Sequence, residues 1–114
     1  MLHLIPNLGL EDTIRFEGEA YGAGVSFFAV DAEPGDTVAL HRHPYPETWV
    51  VRSGRVHLDA NGQQAELGPG DIVVVTTGTP HRYTAIGPDR LDMVCIHDAG
   101  RVSTTWLEPS ERDG

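Results

Sequence analysis

The chain has 114 residues, with eight basic and seventeen acidic side chains and a formal net charge of −9 at pH 7. This length suits one domain around one hydrophobic core, and the acidity argues against nucleic acids and anionic membranes as partners, because both attract basic surfaces. Cys95 is the only cysteine, which excludes an intrachain disulfide and a cysteine-based zinc site.

The first residues, MLHLIPNLGLEDT, lack the basic start of a signal peptide and have only a short apolar stretch before Pro6. No run in the sequence approaches the roughly 18 apolar residues of a membrane span. We therefore expect a cytoplasmic location. The stretch Leu8 to Arg15 has the pattern of a helical turn or two at most, and we predict no helix there. A strand around Thr13 to Gly18 could pair with a neighbouring copy of the chain.

Short β-branched and aromatic runs alternate with turn signals along the rest of the chain. Thirteen glycines and eight prolines leave little room for a helix, and Asn61-Gly62 is the strongest short hairpin signal. We predict an all-β sandwich or barrel, as one domain over residues 1–114, with a core over about 24–107 and a disordered tail over 109–114. The predicted strands are Val25 to Val30, Thr37 to Leu40, Thr48 to Val51, Ile72 to Thr77, Leu91 to His97 and Val102 to Leu107.

Three metal-capable side chains, His41, His43 and Glu47, occur within the seven residues HRHPYPE. Residues i and i+2 of a strand face the same side, so both imidazoles can approach one point. Pro44 and Pro46 interrupt regular strand pairing. A bend at these prolines would return the Glu47 carboxylate towards the imidazoles.

A fourth candidate ligand, His81, follows the turn Thr77-Gly78-Thr79-Pro80. A single histidine is more often a surface or core residue than a ligand, and Glu47 could instead pair with Arg42 or Arg52. Together, the four side chains favour a site for one divalent metal ion. The alternative is a barrel that keeps these residues without binding an ion.

The segment from Gly35 to Gly54 resembles the first cupin motif, G-x5-H-x-H-x3/4-E-x6-G, at every fixed position. The second cupin motif, G-x5-P-x-G-x2-H-x3-N, is matched in part. Thr76 stands at its proline and Ala85 at its asparagine, which puts the tightness of that turn in question, but no ligand position is lost. The positions that match are Gly70, Gly78 and His81.

This resemblance covers residues 35–85 and is closest to small, bacterial-type, single-domain cupins. It implies a double-sheet jelly roll of six to eight strands with the metal inside. Three imidazoles and one carboxylate suit Mn, Fe, Ni, Cu or Zn, and in an octahedral ion four protein ligands leave two positions for water, O2 or a bidentate substrate. The resemblance also implies a homodimer.

Strand parity, counted from the ligands, nominates the other inward-facing residues. His97 is a candidate either to support a ligand or to act as an acid–base group. Tyr83 is a second catalytic candidate, because a buried hydroxyl needs a partner near a metal. Trp49 is expected to fill the core. The remaining inward residues are predicted to be Thr37, Ala39, Val51, Ala85, Met93 and Cys95.

Two functions of different classes follow from the predicted site. The first is a metalloenzyme, a dioxygenase first and otherwise an isomerase or lyase, that acts on a small molecule inside the barrel. The second is a non-catalytic module that binds a metal or a small ligand, since a fold alone does not imply a reaction. The sequence has no Ser-His-Asp ordering, phosphate-binding glycine loop or basic aromatic patch to support other classes.

Overall fold

The computed structural model describes residues 1–6 and 13–109, which form two five-stranded sheets in which every pairing is antiparallel. One short 3-10 helix, Gly18–Tyr21, lies between the first two strands. The prediction of an all-β chain is confirmed. In chain order the strands are β1 (Ile14–Glu17), β2 (Ser26–Ala32), β3 (Thr37–Arg42), β4 (Glu47–Ser53), β5 (Val56–Ala60), β6 (Gln63–Leu67), β7 (Ile72–Val75), β8 (His81–Ala85), β9 (Leu91–His97) and β10 (Thr105–Trp106).

The first sheet has the strand order β1-β2-β9-β4-β7, and the second has the order β10-β3-β8-β5-β6. Their inner faces pack together, because the buried apolar cluster takes side chains from both sheets, such as Val30 and Trp49 from the first and Leu58 and Ala85 from the second. Strands β2 to β9 form the jelly roll that the cupin resemblance implied. β1 is an outer strand of the first sheet and β10 an outer strand of the second, so that the described residues form ten strands in all.

The hairpin predicted at Asn61-Gly62 joins β5 and β6, and Ala60 pairs with Gln63 across it. Asn61 and Gly62 have φ angles of 53° and 82°. A two-residue loop with both φ angles positive is the turn whose twist matches that of the paired strands, and Asn-Gly tolerates it best. This turn therefore sets the register of the hairpin.

The predicted strand Leu91 to His97 has the observed bounds, whereas the prediction for Val102 to Leu107 is mostly wrong. Only Thr105–Trp106 pairs as a strand. The peptide N–H groups of Val102 and Ser103 donate instead to side chains, the first to Glu17 at 2.9 Å and the second to the Tyr45 hydroxyl at 3.1 Å. These contacts take the place of strand pairing.

The predicted N-terminal strand is β1, and it pairs with β2 of its own chain. The helical pattern of Leu8 to Arg15 and the predicted tail over 109–114 lie largely outside the described residues. Within the described residues, no helix is long and apolar enough to cross a membrane.

A β-bulge in β3 changes the predicted parity of that strand. Val38 pairs with Tyr83 and His41 pairs with His81, so that β3 has one residue more than β8 between the two pairs. Such an extra residue reverses which side chains face inward. Thr37 is consequently exposed, and Val38 lines the interior pocket in place of Thr37 and Ala39.

Candidate metal centre

The four predicted ligands converge in the interior, between the two sheets. His41 is near the end of β3, Glu47 begins β4 and His81 begins β8. All four side chains are buried, and one ligand-capable atom from each lies within 4.8 Å of the others. The donors come from three strands and one loop, so the folded barrel is required to bring them together.

The Pro44–Pro46 segment carries the chain from β3 in the second sheet to β4 in the first. Proline cannot donate to a sheet ladder and therefore marks a break in pairing. Because of this crossing, the Glu47 carboxylate approaches His43 and His81 from the opposite sheet, at 3.3 and 3.2 Å from their Nε2 atoms. Within the described part of the chain, neither Arg42 nor Arg52 forms an ion pair with Glu47, and Arg52 lies 3.9 Å from Asp92 instead.

Each of the three ligand imidazoles is held by its Nδ1 atom. The distances are 2.7 Å from His41 to the Ala39 carbonyl, 2.8 Å from His43 to the Ser103 carbonyl and 2.9 Å from His81 to the Thr79 carbonyl. A carbonyl oxygen only accepts hydrogen bonds, so Nδ1 carries the proton in all three rings. In the neutral rings, Nε2 is then the atom with the free lone pair.

This arrangement fits a metal ion. The Nε2 atoms of His43 and His81 lie 3.3 and 3.2 Å from the same carboxylate oxygen, Oε1 of Glu47. A metal ion bound to these atoms would take the place of the proton that the His81 contact otherwise shares. Nε2 of His43 is also buried and has no hydrogen-bond partner among the described residues. Three imidazoles held at Nδ1 by backbone carbonyls, together with one carboxylate, are a typical donor set for a divalent transition ion.

The electrostatics of the site keep its ligands ready for a cation. Burial alone would raise the pKa of Glu47, but the imidazoles of His43, His81 and His97 beside it lower that pKa well below its usual value. Burial and the neighbouring His81 lower the pKa of His41 from 6.5 to about 4. Glu47 is therefore ionised and His41 neutral near pH 7, the states in which both residues can bind a metal.

His97, the candidate supporting or acid–base residue, also lies in the site, where it contacts Glu47. Its Nε2 atom is 3.3 Å from Oε2 of Glu47, and its Nδ1 atom is 2.6 Å from the hydroxyl of Tyr45. Glu47 and His97 are direct partners in the β4–β9 register. Trp49 is fully buried in the core, and its indole Nε1–H donates to Oε2 of Glu47 at 2.8 Å.

A cavity of about 110 Å³ opens beside these side chains. Its walls are largely apolar, and Tyr83, the second catalytic candidate, lines it with the aromatic ring 5.0 Å from that of Trp49. Arg15 of β1 contributes a positive charge to the lining, with its guanidinium 5.7 Å from the Phe28 ring. The apolar walls include Phe28, Val30, Val38, Val102 and Trp106.

Sequence reasoning missed Tyr45, Arg15 and Trp106. Tyr45 is the one side chain between the two prolines of HRHPYPE, and its position beside two candidate ligands was a usable signal. Arg15 and Trp106 lie far from the motif in sequence, and only the outer strands β1 and β10 bring them to the pocket. The ring of Trp106 packs 4.9 Å from that of His41.

Comparisons with known proteins agree with this architecture. A family model for the cupin domain matches residues 28–97. The chain is also similar to a protein from Klebsiella pneumoniae, described as an uncharacterized conserved protein with a double-stranded beta-helix domain. The two structures have a TM-score of 0.71 at 27% identity, over 93% of this chain and 91% of the other.

Two further proteins resemble parts of the chain. One is Bacillus subtilis oxalate decarboxylase, in a structure described for its Mn(II) centers. The TM-score is 0.73 at 20% identity, and the match covers 88% of this chain and 29% of that one. "Polyketide synthase CurC" of Streptomyces cyaneus is 31% identical over 62 residues, 54% of this chain and 40% of the relative. The chain thus spans less than half the length of either protein.

Proposed function

This chain belongs to the cupin family, and on that premise we propose that it is a metal-dependent cupin enzyme that acts on a small organic molecule in the interior pocket. One divalent transition ion (Mn, Fe, Ni, Cu or Zn) would be held by His41, His43, Glu47 and His81. The observation that carries the proposal is the orientation of the three imidazoles. Each directs Nδ1 to a backbone carbonyl, so that Nε2 is the ring atom on the side of the Glu47 carboxylate that would bind an ion.

A bound ion would supply Lewis-acid chemistry, or redox chemistry if it is iron or copper. The protein would supply the surroundings: the apolar walls exclude water, and Tyr83 faces the pocket from β8. We propose an oxidoreductase of the dioxygenase type first, and an isomerase or lyase next. The fold shared with a protein that has Mn(II) centers supports a metal in this barrel; at 20% identity it does not indicate the reaction.

The charge of the pocket favours a small organic acid or enol as substrate. Arg15 is half-exposed, and its contact with Glu17 is long, at 3.7 Å, so that its guanidinium has donors left for an anion. The apolar walls suit the carbon skeleton of such a molecule. Arg15→Gln, which removes the charge, is expected to weaken the binding of carboxylate ligands more than the binding of neutral ligands of the same shape.

The second candidate is a non-catalytic module that binds a metal or a small ligand. One observation favours it: both ring nitrogens of His97 are occupied, by Tyr45 and by Glu47. His97 is the third histidine of the pocket lining, beside the candidate ligands His41 and His43, so that with His97 engaged no further imidazole of this lining is left for proton transfer to a substrate.

The test begins with the metal content of the protein as purified and after loading with each of the five ions. We expect about one ion per chain in the wild type and a large loss in His81→Ala. The loaded forms are then screened with small acids, enols and sugars for oxygen uptake and for product. A wild type that retains no ion would refute both candidates; tight binding of an ion and of a ligand without turnover would favour the binding module.

We further propose that the protein is a cytoplasmic homodimer, as the family resemblance suggests. Exposed outer strands favour pairing between copies, and β1 and β7 are the outer strands of the first sheet. Light scattering over a wide concentration range tests this proposal. A single species at the mass of one 12.4 kDa chain throughout that range would contradict it.

A further inference from the structure

We infer that His97 and Tyr45 form a positioning pair, which holds Glu47 so that only one of its carboxylate oxygens is free to bind the ion. His97 is then a donor to a ligand and is not a fifth ligand. This inference rests on the proposed metal site and assigns to two further residues the task of shaping it.

The direction of each hydrogen bond follows from its neighbours. The Tyr45 oxygen accepts the peptide N–H of Ser103 at 3.1 Å, and its hydroxyl hydrogen has Nδ1 of His97 as an acceptor at 2.6 Å. Nδ1 of His43 lies 3.5 Å from the same hydroxyl, but it already donates to the Ser103 carbonyl. Tyr45 therefore donates to His97.

An imidazole that accepts at Nδ1 carries its proton at Nε2. His97 thus has the opposite tautomer to His41, His43 and His81, and its Nε2 atom, which carries the hydrogen, lies 3.3 Å from Oε2 of Glu47. A protonated nitrogen cannot bind a metal ion. The tautomer therefore separates His97 from the three ligand histidines, although it lies as close to Glu47 as two of them do.

The two oxygens of Glu47 consequently have different partners. Oε2 faces two donors, the Trp49 indole at 2.8 Å and His97 at 3.3 Å. Oε1 faces the Nε2 atoms of His43 and His81. With Oε2 occupied by hydrogen bonds, the carboxylate would contribute one oxygen to the ion, so that an octahedral ion keeps two positions open for a substrate.

The pair is rigid enough for this task. His97 and Tyr45 are 2% and 7% exposed, and buried hydrogen bonds of this kind polarise and strengthen one another. Tyr45 stands between Pro44 and Pro46, whose rings restrict the backbone of the segment. The Phe28 ring packs 5.3 Å from the His97 ring on the adjacent strand.

Three variants test the inference in the full-length protein. His97→Leu removes the donor, His97→Gln offers an amide N–H near the position of Nε2, and Tyr45→Phe removes the hydroxyl that sets the tautomer. Zn²⁺ and Mn²⁺ affinities are measured by competition with a chelator. The splitting of the carboxylate stretches in infrared difference spectra reports whether Glu47 binds through one oxygen or two.

We expect His97→Leu to weaken metal binding about 10- to 100-fold, as is typical when a group that supports a ligand is lost, and to change the carboxylate splitting towards two-oxygen binding. His97→Gln should retain the wild-type splitting and most of the affinity, and Tyr45→Phe should fall between the two. The matched control is Ser26→Ala. Ser26 is fully buried and pairs with His97 across β2 and β9, but its hydroxyl donates to the Ala99 carbonyl.

Three results would overturn the inference while leaving the metal site intact. The first is a His97→Leu variant with wild-type affinity and splitting. The second is a His97→Gln variant that loses as much affinity as His97→Leu, since an imidazole would then be required as a ligand. The third is a change in Ser26→Ala equal to that in His97→Leu, which would show that loosened packing causes the effect. A wild type that binds neither ion would refute the proposed function itself.

Discussion

The interior of this barrel has two ends that are built by the same strands and have opposite chemistry. Along β4, β8 and β9, one end of each strand contributes a polar side chain to the metal centre, and the other end contributes an apolar side chain to the core. The polar members are Glu47, His81 and His97, and the apolar members are Val51, Ala85 and Leu91.

The apolar end contributes favourable free energy to folding, whereas the polar end reduces the stability of the fold unless its groups are paired. Complete burial of an aliphatic side chain contributes about 1.5–3 kcal/mol without any partner. Buried imidazoles and carboxylates lose hydration, and they are tolerated only when hydrogen bonds or a cation replace it. The apolar end should therefore fold the chain under all conditions, whereas the stability of the polar end should depend on metal and on pH.

The largest expected effect is at the apolar end. Leu91→Ala removes a side chain that is 0% exposed, and such a cavity costs about 2–5 kcal/mol. Urea unfolding measures this loss, while the metal affinity of the folded variant should remain near that of the wild type. Ile72→Ala is the control, because Ile72 is 65% exposed and its truncation should cost less than about 1 kcal/mol. Equal losses in the two variants would contradict the comparison.

At the polar end, Glu47→Gln should lower stability without metal and should also remove most of the stabilisation that a metal ion provides. In the presence of a chelator, the variant should be less stable than the wild type, because the imidazoles that lower the pKa of Glu47 stabilise its charge in the folded state. Ion at about 1,000 times its dissociation constant should stabilise the wild type by about 4 kcal/mol, and the variant far less. Thermal unfolding of both proteins with chelator and with Mn²⁺, Ni²⁺ or Zn²⁺ tests this. An equal response would show that Glu47 is not a ligand.

The pH dependence of the metal-free protein should also originate at the polar end. The pKa of His41 is lowered from 6.5 to about 4 in the folded state, so the unfolded chain binds more protons between these values. Stability should be complete above pH 6.5 and fall by roughly 2–3 kcal/mol as the pH decreases to about 4. Urea unfolding with chelator at several pH values measures the slope. His41→Asn should flatten it, and a slope unchanged in that variant would assign the effect elsewhere.

The smallest effect is expected for Tyr83→Phe at the boundary between the two ends. The variant keeps the ring that packs against Trp49, so unfolding free energy and metal affinity should change by less than about 1 kcal/mol. If the hydroxyl contacts the substrate, turnover or ligand binding should decrease while both of these quantities stay constant. A loss of metal affinity in this variant would place Tyr83 among the groups that hold the ion.

Short strands and turn signals were sufficient to predict an all-β chain, whereas the jelly roll followed from the resemblance to cupins, and the convergence of His41, His43, Glu47 and His81 followed from the motif spacing. Most of the inward faces followed from period-two alternation in β4, β8 and β9, since one slip in register would turn every side chain around. The same reasoning gave the wrong inward residues at Thr37 and Ala39, because the extra residue of the β3 bulge cannot be recognised from the amino-acid composition. Tyr45 was missed for a related reason: it lies in an irregular segment, where side-chain direction depends on the path of the chain and strand parity does not apply.

Cys95 can serve as a reporter of how often the barrel opens. The thiol is 3% exposed on β9, beside Trp49 of β4, and burial raises its pKa well above the usual value. Cys95 also lines the interior pocket. Its low exposure and raised pKa make its reaction with a thiol reagent slow until the barrel opens, so that the labelling rate reports this opening. Since it is the only cysteine, a single colour change reports the whole population. A metal ion that binds only the closed barrel should lower the labelling rate of Cys95 by the same factor by which it raises the folding equilibrium constant.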